Sequence, residues 1–147
     1  MDLSGFSGRY YQELSGGQQA RVQLARVRVQ VWDPVQDGHA RWLFLDEPVA
    51  SLDIAHQIGV MRVLRRFADG GGGVIMVLHD LNLAAMVADE VWLIHDGRIL
   101  DSGTPAQVIG GAGLATAYGC PITANRMPEH GATFVLPHGL WDRVAAP

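Results

Sequence analysis

The chain has 147 residues and 48% hydrophobic content, one small domain's worth with enough apolar side chain to build a packed core, so a disordered tail is excluded. All 11 basic residues are arginine, and chemistry that needs an ε-amine on this chain is therefore absent. The net charge of −4 argues against non-specific binding to nucleic acid or anionic lipid as the main role.

A single cysteine, Cys120, cannot form an internal disulfide, and a reducing cytosol is the expected compartment. No apolar run approaches the roughly 18 residues that span a bilayer, and a soluble chain without a secretion signal is expected. Met1 to Gln12 has no clear strand or helix period, and further residues are expected to precede it.

From Ser15 the pattern turns helical, with Val22, Leu24, Ala25 and Val29 to one side and Arg21, Gln23 and Arg28 on the others. Ser15 and Gln18 have the spacing of a capping box, so the helix starts at Ser15 and ends before Asp33-Pro34. Asp33 to Ala40 reads as a loop. Trp42 to Leu45 is a short apolar run stopped by Asp46-Glu47-Pro48, as in a strand buried on both faces. A second helix fits Ile54 to Phe67, with Asp53 as N-cap and Gly70 to Gly73 as the stop. Val74 to Leu78 is a second buried strand, Asp80 to Ala88 a third helix, and Val91 to Ile94 a third strand that turns at Asp96-Gly97 into Arg98 to Leu100. Thr104-Pro105 starts another helix. Beyond it, Ile122 to Asn125 and Thr133 to Leu136 pair as a small hairpin in this reading. Strands alternating with helices predict an α/β sheet, parallel at its centre.

Three places can carry chemistry. In Leu14-Ser15-Gly16-Gly17-Gln18, two glycines after an N-cap serine leave the first helical N–H groups unshielded where the helix dipole is positive. That is an anion site, most naturally for phosphate, or simply a well-capped helix. Asp46 and Glu47 sit at the carboxyl end of a strand, where α/β sheets bind ligands. One can hold hydrated magnesium while the other polarises a water, or the pair is a solvated acidic turn. His79 follows the second strand at the same edge, either to bond a phosphate or water or as a structural histidine. His130 and His138 lack the spacing of a metal site. Arg65-Arg66 and Arg21/Arg28 read as a solvated or partner-facing surface.

In order, these motifs resemble the second half of an ATP-binding-cassette (ABC) ATPase. Leu14 to Arg21 (LSGGQQAR) resembles the signature, Trp42 to Pro48 (WLFLDEP) the Walker B strand, Ser51 to Asp53 (SLD) the D-loop, and Val77 to Asp80 (VLHD) the switch-histidine loop. The fold implied is that of a P-loop NTPase, a three-layer α/β arrangement with a mainly parallel sheet, lacking its N-terminal part and the P-loop strand. Residues 1–40 would belong to the helical subdomain, 41–109 to the core and 110–147 to a C-terminal tail.

The resemblance implies that Ser15, Gly16, Gly17 and Gln18 contact the γ-phosphate of ATP held by a partner subunit in a head-to-tail dimer. Asp46 would bind Mg2+ through water, Glu47 would be the general base, His79 would sense the γ-phosphate, and Asp53 would couple the two sites. The implied assembly adds transmembrane permease subunits and, indirectly, a periplasmic binding protein at the cytoplasmic face of the inner membrane, with no nucleic acid. The chain departs from the family in having neither G-x-x-x-x-G-K-[ST] nor a glutamine loop, so it reads as a fragment, a truncated gene product or half of a split protein. Alone it is expected not to hydrolyse ATP. Gln18, Ala20, Val49 and Arg28 are smaller departures that remove no catalytic group.

His79 to Ala85 (HDLNLAA) resembles the importers of iron-siderophores, vitamin B12 and haem, and the connector Val31 to Trp42 resembles the haem-importing branch. Tyr118-Gly119 and Val135-Leu136-Pro137 fit that branch. Import of haem is the first reading and import of a ferric siderophore or vitamin B12 the second. From another class come a DNA-repair or translation ATPase, for which no long insertion is present, and an inactive cassette fragment acting as an interaction module.

Overall fold

The computed structural model describes residue 5 and residues 7–136. The chain divides into two compact units that part between His79 and Asp80.

In the first unit, a 3-10 turn at Tyr11–Glu13 leads to helix α1, Gly16–Gln30. Its start is the expected capping box: the Ser15 hydroxyl accepts from the Gln18 amide at 3.4 Å, and Gln18 Oε1 accepts from the Ser15 amide at 3.0 Å. Its inward face differs from the hydrophobic reading. Leu24 is buried but Val29 is 62% exposed, and Arg28 takes the inward place, its guanidinium 5.1 Å from the Phe67 ring. Arg28 also donates to the carbonyls of Val31, at 2.8 Å, and Trp32, closing the helix C-terminus. Arg21, Leu24 and Arg28 stand at i, i+3 and i+7, so one face carries two arginines that are internal ties rather than a solvated patch.

The expected loop at Asp33 to Ala40 is a miniature hairpin of β1, Val35–Gln36, and β2, His39–Ala40. Asp37 and Gly38 both have positive φ, 52° and 78°, the backbone of a tight two-residue turn. Strand β3, Trp42–Asp46, pairs in parallel with β4, Gly73–Val77, with Trp42 opposite Gly73 and Asp46 opposite Val77. Helix α2, Ile54–Asp69, forms the crossover between them and packs on β4. Ile58, Met61, Leu64 and Phe67 are its buried stripe.

The two strands are not buried on both faces as expected. Leu43 is buried, while Trp42, Phe44, Ile75 and Val77 share an exposed face, with Phe44 at 72%. Gly73 lets the Trp42 ring lie across the neighbouring strand, for a Cβ there would meet its Cε3 at 2.3 Å. Among the described residues β3 and β4 gain no third strand.

The second unit begins with α3, Leu81–Val87, capped by the Asp80 carboxylate, which accepts from the amides of Asn82 and Leu83. Strand β5, Val91–His95, runs antiparallel to β6, Arg98–Gly103, through Asp96-Gly97, whose φ values of 48° and 72° are those the sequence predicts for this turn. Helix α4, Pro105–Ile109, starts with Thr104 as N-cap, and α5, Gly113–Tyr118, follows where no helix is expected from the sequence. Leu93, Val108 and Leu114 form the core, with Leu81, Val91 and Ile122 against it. The predicted hairpin of Ile122 to Asn125 with Thr133 to Leu136 does not form: Ile122 anchors the chain to this core, Val135 is exposed, and neither segment is strand. An isolated two-stranded hairpin with no apolar face to cover is marginal in water. His138 and Pro137 lie outside the described residues.

Candidate functional site

The parallel pairing of β3 and β4 brings their carboxyl ends to one edge. Asp46 is the last residue of β3 and is exposed. Glu47 follows in a left-handed conformation, φ 43°, with its amide donating to the Val77 carbonyl at 3.2 Å. Such a backbone costs a non-glycine residue on the order of 1–2 kcal/mol, and it points successive carboxylates in different directions. The turn is held from within, since Ala50 N donates to Glu47 O and the Gln57 side chain to Val49 O.

His79, two residues beyond β4, donates from Nε2 to Glu47 Oε1 at 2.6 Å. Both side chains are open to solvent, so the pair can orient a water or phosphate oxygen brought against it. Among the described residues no group of three or more His, Cys, Asp and Glu side chains could hold a metal as a protein cage. A single carboxylate at Asp46 suits magnesium instead, which keeps water and takes its remaining ligands from substrate phosphates.

At the signature turn, the Ser15 hydroxyl and the Gln18 carbonyl are engaged in the capping box. Among the described residues, no hydrogen-bond acceptor faces the amides of Gly16 and Gly17, as an anion-receiving helix start requires. The glycines differ in a way sequence reasoning missed. A Cβ on Gly16 would meet nothing within 4 Å, whereas one on Gly17 would lie 3.0 Å from the Ser51 carbonyl oxygen. The signature turn therefore rests on the backbone of Ser51-Leu52-Asp53.

Asp53 is the N-cap of α2. Its carboxylate accepts from the His56 amide at 2.9 Å and from the His56 ring at 2.7 Å, and these bonds, backbone first, hold its pKa below the usual aspartate value. His56 Nε2 in turn meets Arg21 of α1 at 2.8 Å. His56 was not singled out in the sequence, and the only signal was its place three residues after an N-cap aspartate. The predicted residues thus fall into two groups: Asp46, Glu47 and His79 at the strand ends, and Ser15 to Gln18 with Asp53 around the start of α1. No hydrogen bond joins the groups among the described residues.

No protein-family model matches the chain. A metal-chelate type ABC transporter, solved in an inward-facing conformation, superimposes with a TM-score of 0.65 over 86% of this chain and 47% of its own, at 21% identity. The fold is thus shared with about half of that ABC transporter chain.

More particularly, the chain is similar in sequence to proteins named hemin import ATP-binding protein. It is 65% identical over 136 residues to HmuV of Jannaschia sp. (strain CCS1), covering 92% of this chain and 50% of that protein. HmuV of Roseobacter denitrificans is 56% identical over 136 residues, and that of Rhizobium johnstonii 49% over 143, covering 52% and 54% of those proteins. The chain spans about half the length of the curated relatives it matches.

Proposed function

We propose that this chain supplies part of the nucleotide site of an ABC import ATPase. The carrying observation is the Glu47–His79 pair at the carboxyl edge of the parallel strands, directly after Asp46. Magnesium-ATP would bring a polarised γ-phosphate. Asp46 would hold the hydrated metal, Glu47 would take a proton from water, and His79 would keep the Glu47 carboxylate oriented and report on the phosphate. The free amides of Gly16 and Gly17, with the Ser15 hydroxyl and Gln18, would receive the γ-phosphate of ATP bound by a second ATPase subunit, and Asp53 would couple the sites.

Haem is the proposed cargo, on the strength of the names its relatives bear; ferric-siderophore or vitamin B12 import is the second reading. The proposed setting is peripheral, at the cytoplasmic face of the inner membrane, against permease subunits and indirectly a periplasmic binding protein. Residues 1–40 would serve as part of the helical subdomain, 41–109 as the core and 110–147 as the tail. No lysine is present to serve the phosphates, so the isolated chain is expected to be inactive.

The test adds this chain to an intact relative that carries its own G-x-x-x-x-G-K-[ST] and measures magnesium-dependent phosphate release. A composite site raises or reshapes turnover in a way that depends on Gly16 and Gly17. Unchanged turnover at saturating chain supports the interaction-module reading instead.

A further inference from the structure

An arginine can only donate hydrogen bonds, and Arg21 Nη1 lies 2.8 Å from His56 Nε2. Nε2 must therefore present its lone pair. The other ring nitrogen, Nδ1, is 2.7 Å from both Asp53 oxygens, and a carboxylate only accepts, so Nδ1 carries the hydrogen. This arrangement puts the hydrogen on Nδ1 and the lone pair on Nε2, with the two nitrogens facing opposite charges: the Asp53 carboxylate at the start of α2 and the Arg21 guanidinium from α1. Both Arg21 and His56 are half-buried, which limits competition by water.

We infer that His56 is a positioning residue whose neutral imidazole ties the turn at Ser51-Leu52-Asp53 to the signature helix, and that a proton on Nε2 releases this tie. Protonation removes the acceptor for Arg21 and sets a second cation against it, while Nδ1–H remains on Asp53. The α2 cap is kept and the hydrogen bond between Arg21 and His56 is lost. The close approach of Gly17 to the Ser51 carbonyl oxygen lies one turn of α1 from Arg21, so the same two segments meet at a second point. The meaning of the tie for catalysis rests on the reading above: this hydrogen bond joins the helix that carries the γ-phosphate-receiving groups to the coupling Asp53, and it is made while Nε2 keeps its lone pair.

The experiment uses the 15N-labelled full chain between about pH 8 and pH 5, where histidine titrates. Long-range 1H–15N NMR reads the ring nitrogens separately, and amide exchange reads α1. The expected result is a protonated Nδ1 and a bare Nε2 at alkaline pH, with amide protection at residues 18–21, taken against the intrinsic exchange rate at each pH, lower by about five- to tenfold once His56 is protonated. His56→Gln keeps a donor and an acceptor but does not titrate, and it should abolish the pH-linked change. A hydrogen on Nε2 at alkaline pH, or an unchanged α1 response in His56→Gln, overturns the inference. The tautomer measurement needs no substitution, so it decides even where a variant fails to fold. No nucleotide enters any arm, so failure here is distinguishable from failure of the composite-site reading.

Discussion

Glu47 and His79 stand on the ends of different strands, 32 residues apart in sequence, yet His79 Nε2 lies 2.6 Å from Glu47 Oε1. The strained left-handed backbone at Glu47 and the parallel register of β3 and β4 both serve this approach. In the composite assembly with an intact relative proposed above, Glu47→Gln should lower ATP hydrolysis by about 10²–10⁴-fold if Glu47 is the general base, because general-base catalysis contributes that much. Nucleotide binding should survive, since the amide keeps the hydrogen bond's geometry. Phosphate release against nucleotide retention separates the two, and unchanged turnover would remove Glu47 from the role.

The signature glycines should part company on substitution. Gly17→Ala places a methyl 3.0 Å from a backbone oxygen that cannot easily retreat, and a loss of about 1–2 kcal/mol is expected. Gly16→Ala meets open space and should stay within about 0.5 kcal/mol of the parent. Urea unfolding of the full chain compares them, and equal midpoints would contradict the observed contact.

Asp53 links stability to acid. Its pKa is lowered, chiefly by the His56 amide and ring, so its contribution is fully present above the ordinary aspartate value and is lost as pH falls through the lowered folded value. Stability should therefore decline in acid, below about pH 4. Asp53→Asn should flatten that stretch of the profile. Chemical denaturation at stepped pH checks it, and an unaltered slope in the variant would assign the decline to other carboxylates.

Arg28→Leu tests whether this residue is surface or interior. The change keeps apolar bulk but leaves the Val31 and Trp32 carbonyls without the guanidinium, and a loss of about 1–2 kcal/mol is expected. A thermal midpoint equal to the parent's would return Arg28 to the solvated surface.

Local chemistry was legible in the sequence wherever one residue sets one backbone event. Ser15 with Gln18, Asp53, Thr104 before Pro105, and Asp96-Gly97 each mark an element boundary that the structure bears out. The α/β fold and the convergence of Glu47 with His79 were legible because a crossover helix between two apolar runs brings their carboxyl ends together. Burial was less so. A hydrophobicity period assigns arginine to solvent, yet the long stems of Arg21 and Arg28 reach inward and satisfy a histidine and two carbonyls. Likewise Phe44 reads as core from its neighbours, although strand alternation puts it opposite Leu43 on the open face. The Arg21–His56–Asp53 relay left almost no mark, because its members are 35 and 3 residues apart and only side-chain hydrogen bonds between α1 and the start of α2 unite them.

Trp42, Phe44, Ile75 and Val77 form an apolar tile beside a strand edge that carries no further partner among the described residues. A surface of that kind templates sheet addition and governs colloidal lifetime more than folding free energy does. Crowding should therefore shorten the time this polypeptide stays dispersed. A lone cation in the middle of the tile, Phe44→Arg, should lengthen it without disturbing Leu43 on the opposite side, as static light scattering at matched concentrations would register.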